Sequence, residues 1–333
     1  MKDPLYASPI RVDLVVYPGF KSLEAIGTMS VFEYANIHLA NSGRAPGYTI
    51  RIASTRAAAI ASDLPMTLEA THVLDADDLP DVAVIVGARA IEEALASNPS
   101  LVDWARLAAP KLHRLVGLCS GSFFLAQAGV LDGLRATTHW SAADRLKHQF
   151  KNVEVEADAI YIRAGHLWTS AGVTACIDLA LALVEEDFGR SLALAVARDL
   201  VVYLRRTGGQ SQYSMHLASQ NTTHTGIRET QDWILSNIAM PMKLGELANR
   251  AAMSERNFRR VFLKEVGIGP NQYIDAARFD KACLLLQEGH LPLKSVAGRV
   301  GYTSEQSLRK LFLRQSGMTA EDYRLRFCGA PAR

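Results

Sequence analysis

The stretch Gly117 to Gly129, GLCSGSFFLAQAG, sets a cysteine between two glycines and runs straight into an apolar segment. Just before it, RLVGLC (114–119) is short, apolar and β-prone. The spacing predicts a strand ending at Cys119 and a helix over residues 120–128. A Gly-x-nucleophile-x-Gly pattern at such a junction makes a strained strand-to-helix turn. The glycines are expected where neighbouring backbone passes close by. The dipole of the following helix is expected to favour thiolate and lower the cysteine pKa.

Outward from this elbow, IRVDLVVYP (10–18), YTIRIAS (48–54) and DVAVIVGA (81–88) read as further buried strands. Leu23, Ile26, Met29, Phe32 and Ile37 recur at helical spacing and predict a helix over residues 23–41. AIYIRAGHLWTSAG (159–172) predicts a hairpin-like pair of edge strands, and residues 176–184 and 192–205 predict two more helices. Strands alternating with helices imply an α/β fold around a largely parallel sheet.

The totals set bounds on function. At 333 residues the chain has room for two domains, and 49% apolar with 21% charged residues is ordinary for a globular protein. No apolar run reaches the length of a membrane span, and MKDPLYASPI shows no basic-then-apolar leader, so a cytoplasmic protein is expected. Cys119, Cys176, Cys283 and Cys328 lie far apart with no CxxC spacing, which predicts free thiols. The nine histidines show neither HxxxH nor HxH spacing, so neither a metal nor a cofactor is expected. Residues 227–333 hold 17 Lys+Arg against 11 Asp+Glu, a balance of +6, and the rest of the chain carries −4. Only that basic third is expected to meet a polyanion.

Between these parts, RRTGGQSQYSMHLASQNTTHTG (205–226) is polar, rich in Gly, Ser and Thr, and lacks apolar period, so it reads as a linker. Beyond it the chain repeats itself. SERNFRRVFLKEVGIGPNQY (254–273) matches SEQSLRKLFLRQSGMTAEDY (304–323) at seven of twenty positions. Each is preceded by a short helix carrying Ala248 or Ala297 on its inner side, then a tight turn. Ser254 and Ser304 are the expected N-caps of the helices that follow. Those helices are expected to bury Phe258, Val261 and Phe262, or Leu308, Leu311 and Phe312. Left outside are Arg256, Asn257, Arg259, Arg260 and Lys264, or Gln306, Ser307, Arg309, Lys310 and Arg314. An amphipathic second helix with polar donors on its first turns is what a helix-turn-helix lays along base edges.

Residues 227–327 resemble the AraC/XylS DNA-binding domain: two helix-turn-helix units joined by a central helix, here 271–287. ELANRAAMSERNFRRVFLKEVGIGP, VAGRVGYTSEQSLRKLF and the closing Gly317, Tyr323 and Arg324 carry the match. By this resemblance Arg256, Arg259 and Arg260 face one major-groove segment of double-stranded DNA. Glu305, Gln306, Ser307, Arg309 and Lys310 face the next, about 34 Å away. Ala320 stands where the family usually has proline, and Lys310 where arginine is common.

Residues 10–190 resemble the ThiJ/PfpI superfamily, a flavodoxin-like α/β sandwich within the class I glutamine amidotransferase-like group. VVYPGFKSLEAIG, VIVGA, GLCSGSFFLAQAGVLDGLRATTHW and TSAGVTACIDLALALVEE carry this match. It implies that Glu24 sits beside Cys119 and that His139 lies near the same pocket, with Ser120 and Trp140 as neighbours. Ser120 departs from the peptidase members, which have histidine there. The isonitrile hydratases share a very similar segment, usually with aspartate in place of Glu24.

Together with ARDLVVYLRRTGGQSQY (197–213), the whole resembles the GlxA family of transcriptional regulators. The resemblance implies a sensing domain at 1–205, a linker at 206–226 and a DNA-binding domain at 227–333. It implies a dimeric activator, contacting promoter DNA and RNA polymerase in the nucleoid, whose effector is an amino acid or quaternary amine. Trp140, Trp168 and Tyr161 have two readings, as ordinary core aromatics or as contributors to an aromatic box for a quaternary ammonium. Two other readings use Cys119 directly: a hydratase tethered to DNA, and a redox sensor in which the thiol is oxidised.

Overall fold

The computed structural model describes residues 8–202, 204, 210, 222, 224–288, 291–316 and 319–327. Most of the expected linker at 206–226, and both Gly317 and Cys328, lie outside the described residues. Two compact units are present, Met1–Arg206 and Thr207–Arg333.

The first unit opens with β1 (Ile10–Val15), α1 (Ser22–Asn41), β2 (Tyr48–Ser54), β3 (Ala58–Ala61), β4 (Thr67–Ala70), β5 (His72–Val73) and β6 (Val82–Ile85). It continues through α2 (Ile91–Ser97), α3 (Pro99–Ala108), β7 (Arg114–Gly117), a 3-10 turn at Cys119–Gly121 and α4 (Ser122–Gln127). After these come β8 (Arg135–Ala136), α5 (Trp140–Gln149), β9 (Glu154–Val155), β10 (Tyr161–Ala164), β11 (Leu167–Ser170), α6 (Ala175–Phe188) and α7 (Arg190–Asp199).

Seven strands form one sheet in the order β10-β11-β7-β6-β1-β2-β5. All pair in parallel except β10 with β11. β6 and β7 are buried throughout and β1 is buried except at Arg11, as strands covered on both faces require. Of the predicted pair of edge strands only β10 lies at an edge, because β11 also pairs with β7. The chain moves outward from β1 to β2 and then crosses to β6 on the other side. The ends of β1 and β6 therefore flank the crevice where parallel sheets of this kind take ligands.

One helix expectation needs correcting. The predicted helix over 120–128 begins as a 3-10 turn and is helical only over Ser122–Gln127. The helix predicted over residues 23–41 is present as α1, but of the residues that carried its spacing Leu23, Ile26 and Ile37 are exposed, Met29 is partly buried and Phe32 is buried. Its buried face is Ser22, Glu24, Ala25, Gly27, Thr28, Val31, Phe32, Ala35 and Leu39. Polar residues on the inner face disguised it.

The second unit is helical: α8 (Thr225–Ser236), α9 (Leu244–Arg250), α10 (Glu255–Val266), α11 (Pro270–Glu288), α12 (Leu293–Arg299), α13 (Glu305–Ser316) and α14 (Ala320–Phe327). It has two cores rather than one. Ile227, Ile234, Leu247, Phe258, Phe262, Tyr273 and Ile274 form the first; Phe279, Leu286, Val296, Leu308, Leu311, Phe312 and Tyr323 form the second. The 19-residue α11 serves both, its first turns in one core and its later turns in the other. Val261 is only partly buried at the margin of the first. Among the described residues no helix is long and apolar enough to cross a membrane.

Candidate functional site

β7 delivers the chain to Cys119, whose φ of +52° is a left-handed conformation rare outside glycine. Two glycines make that turn possible. A Cβ at Gly121 would fall 2.4 Å from the Ile85 carbonyl oxygen, and one at Gly117 would fall 3.0 Å from the Ser122 Cα. The elbow is tied down by its own polar neighbours. Ser122 Oγ and Thr138 Oγ1 both donate to the Cys119 carbonyl, at 2.9 and 2.8 Å, and Ser120 Oγ donates to the Ala88 carbonyl at 2.7 Å. Cys119 N–H donates to Ser170 Oγ at 3.4 Å, at the end of β11.

The thiol faces two side chains from the start of α1. Lys21 Nζ lies 3.0 Å from Cys119 Sγ and 3.5 Å from Glu24 Oε1. Glu24 Oε2 accepts the Gly87 N–H at 2.7 Å, whereas Oε1 is buried without a hydrogen-bond partner. Glu24 and Cys119 are fully buried, and the Lys21 side chain keeps 14% exposure. The trio thus gathers at the carboxyl ends of β1, β6 and β7, with the expected Glu24–Cys119 neighbourhood in place and Lys21 added to it.

Burial sets the protonation of these groups. It pushes Glu24 up to about 7, against the nearby Lys21 charge and the Gly87 N–H, which favour the ionised form. It pushes the Cys119 thiol up to about 11, with Glu24 adding to the rise and Lys21 opposing it. The expectation of a thiol lowered by its helix is therefore overturned. The dipole of a six-residue helix behind a 3-10 turn is weak, and desolvation is larger. For Lys21 burial disfavours the charge, but Cys119 and Glu24 outweigh it and the ammonium is held protonated.

His139 caps α5, its Nδ1 accepting from the Ser141 N–H at 3.2 Å and lying 2.8 Å from Ser141 Oγ. Burial and then the Lys21 charge lower its pKa, so it is neutral at pH 7. The ring packs tightly against Gly172, where a Cβ would fall 2.0 Å from His139 Cδ2. Trp140 is exposed, its ring 5.4 Å from that of His139. Of the other aromatics weighed for a box, Trp168 is buried and Tyr161 partly buried. Tyr161 stacks on Trp168 at 6.2 Å, and the Arg163 guanidinium lies over the Trp168 ring at 5.2 Å.

In the second unit both capping serines act as expected. Ser254 Oγ accepts from the Asn257 N–H at 3.4 Å, and Ser304 Oγ from the Ser307 N–H at 3.2 Å. The turns before them close alike, with Met253 N–H on the Ala248 carbonyl and Tyr302 N–H on the Ala297 carbonyl, both at 2.9 Å. Two residues past each helix end the backbone is left-handed, at Ala252 (φ +54°) and Gly301 (φ +81°). Gly301 has a further reason to be glycine: a Cβ there would fall 2.7 Å from both Arg278 Nη2 and the Ile238 carbonyl. Arg256, Arg259 and Arg260 are exposed on α10, and Glu305, Gln306, Arg309 and Lys310 on α13, with Asn257 and Ser307 half-buried. Arg260 Nη2 donates to Asn257 Oδ1 at 2.8 Å. Arg314 is engaged by Asp275 at 2.6 Å.

Lys21 is the functional candidate that sequence reasoning missed. Its only local sign is the i, i+3 placement before Glu24 in PGFKSLE.

Comparisons with known proteins agree with this layout. Residues 10–186 match the DJ-1/PfpI family, and residues 247–326 match a helix-turn-helix domain. The chain is 27% identical over 322 residues to the HTH-type transcriptional regulator CdhR of Pseudomonas aeruginosa, covering 96% of this chain and 89% of that one. An isonitrile hydratase of Pseudomonas putida is 26% identical over 57% of this chain and 78% of its own length. The crystal structure of an AraC family transcriptional regulator from Pseudomonas putida superposes with a TM-score of 0.50 at 26% identity, covering 58% of this chain and all of that one.

Proposed function

The chain belongs to the DJ-1/PfpI family and carries an AraC-type helix-turn-helix region, and on that footing we propose a promoter-binding regulator whose activity follows a small metabolite bound at the Cys119 elbow. One observation carries the DNA-binding part. Two Ser-capped helices, α10 and α13, stand on separate cores joined by the continuous α11. Nineteen helical residues span about 28 Å, close to the ~34 Å repeat of successive major-groove segments. Arg256, Arg259 and Arg260 read one segment; Gln306, Arg309 and Lys310 read the next. The protein acts as an activator and as a homodimer, and the exposed Leu23, Ile26 and Ile37 of α1 supply an apolar face for a second copy.

The elbow is a sensor and not a catalyst. A thiol held near 11 is protonated at neutral pH, and His139 directs its Nδ1 to Ser141. The same chemistry disfavours peroxide sensing, which needs thiolate.

Footprinting on the DNA upstream of the protein's own coding region tests the proposal. Specific protection is expected, with affinity falling steeply as salt rises. Cys119→Ser is expected to leave the footprint intact and to alter only its response to metabolites. Equal binding to that DNA and to random competitor, whatever the metabolite added, would sink the regulator.

A further inference from the structure

We propose that Lys21 makes the elbow an anion site: a small carboxylate-bearing metabolite accepts hydrogen bonds from Lys21 Nζ and from a protonated Glu24 Oε1, so that a proton enters with the ligand. This deepens the sensor reading above and rests on it.

Glu24 Oε2 is spoken for by the Gly87 N–H, whereas Oε1 is fully buried and has no hydrogen-bond partner. A buried polar atom left in that state costs free energy unless something completes it. The nearest charge to Oε1 is Lys21 Nζ at 3.5 Å. Protonated at Oε1, Glu24 becomes a donor beside the ammonium, and a carboxylate spans two such donors. Acid-to-carboxylate and ammonium-to-carboxylate hydrogen bonds are both charge-assisted and strong. Lys21 is also the one of the three that solvent reaches, since Glu24 and Cys119 are fully buried. A ligand therefore approaches over the ammonium.

The charges around Glu24 leave an anion as the fitting ligand. Tyr17 at the end of β1, Cys119 at the elbow and Cys176 on α6 all face Glu24, and burial keeps each neutral. His139, which faces Lys21, is neutral as well. Of these described groups only Lys21 and Glu24 carry charge, the next carboxylate, Asp178 on α6, acting on Cys176; protonating Glu24, which titrates at about 7, leaves Lys21 without its paired carboxylate. A single ammonium without an arginine fork suits a monoanionic carboxylate better than a phosphate. A quaternary ammonium would meet like charge at Lys21.

The test uses the full chain with acetate and glycine as carboxylate probes and tetramethylammonium chloride as the cationic control, at constant ionic strength. Isothermal titration in two buffers of different ionisation enthalpy counts protons. Acetate is expected to saturate with uptake of about half a proton at pH 7, and to weaken about tenfold from pH 8 to pH 9. Lys21→Met is expected to weaken acetate at least about tenfold, while Lys21→Arg stays within about threefold of wild type. The inference fails if neither carboxylate binds, if tetramethylammonium alone binds, if acetate binds without proton uptake, or if folded Lys21→Met keeps wild-type affinity. Should Lys21→Met not fold, proton uptake by the unaltered chain decides. Footprinting in parallel separates the two readings. Carboxylate binding without promoter binding overturns the regulator and leaves this site standing; promoter binding without carboxylate binding does the reverse.

Discussion

The elbow and the reading helices put charge to opposite uses. Around Cys119 the polar groups are few and almost wholly desolvated, so each one changes the protonation of the next: burial lifts Glu24 to about 7 and the thiol to about 11. On α10 and α13 the charges are many and exposed. Their field is open to salt, and they act on a polyanion by number and position. Chemistry in the first region is therefore set by what surrounds a group, and in the second by which residues are presented. Variants that separate these two principles follow, from the largest expected effect to the smallest.

The deepest cut is Phe262→Ala. Phe262 is fully buried, packing against Phe258 at 5.3 Å and Tyr273 at 5.6 Å in the first core of the helical unit. Its truncation is expected to destabilise that core by about 3–5 kcal/mol. Calorimetry should show the helical unit melting earlier while the α/β unit's transition stays in place. A uniform shift of the whole thermogram would mean that the two units do not melt independently.

Glu24→Gln sharpens the comparison from the other side. Glu24 titrates at about 7 when folded, against an ordinary 4.5. The folded chain thus keeps a proton that the unfolded chain has released. Its stabilising share is complete below pH 4.5 and is lost as pH rises through 7, a change on the order of 3 kcal/mol. Lys21 has the same sign at far higher pH, since its own pKa is raised. Denaturant titrations of Glu24→Gln should therefore lack the decline that wild type shows between pH 4.5 and 7. Parallel profiles for the two proteins would place the Glu24 carboxyl in a much wetter setting.

Arg260→Ala tests the exposed region. Arg260 is braced by Asn257 Oδ1 at 2.8 Å, which fixes where its guanidinium points. Losing one such reader is expected to cost about 1–3 kcal/mol and to relax specificity in one groove segment only. Lys310→Ala on α13 should likewise weaken recognition at the other groove segment only, and by less, because an ammonium lacks the bidentate fork of a guanidinium. Footprints that weaken equally at both segments for Arg260→Ala would break the assignment of one helix to one segment.

How much of this was legible in the sequence follows the same divide. The helical unit could be read almost entirely, because its signals are local. A serine three residues before its bonded N–H, aromatics one turn apart and a second copy 50 residues on all lie within short windows. The elbow glycines were legible for the same reason, and Gly121 meets the Ile85 carbonyl as the motif demands. Lys21 was not, since it meets Cys119 across 98 residues of chain and only the sheet order brings them together. The thiol's pKa was misread because a helix dipole is visible locally and desolvation is not. The inward face of α1 was not legible, because Ser22, Glu24 and Thr28 turn inward while Leu23, Ile26 and Ile37 turn out. Short elements such as β8, β9 and α2 carry too few residues to show a period.

The smallest effect compares the two copies of the repeat with each other. Ser254→Ala removes the side-chain acceptor for the Asn257 N–H, and Ser304→Ala the one for the Ser307 N–H. Each is expected to cost about 1 kcal/mol. Yet the copies are not equally supported. Ser304 Oγ also lies 3.0 Å from Ser307 Oγ, so in the Ala variant the Ser307 hydroxyl remains near the helix start. Ser254 has Asn257 at that position, and Asn257 Oδ1 is already engaged by Arg260. Ser254→Ala should therefore be the more costly of the two, by a few tenths of a kcal/mol. It should also loosen Arg260 with its helix and cost affinity at that groove segment, whereas Ser304→Ala should leave DNA affinity closer to wild type. Urea midpoints and footprints on the two variants measure both effects; the reverse order would show that Asn257 and Ser307 contribute nothing to the ends they stand beside.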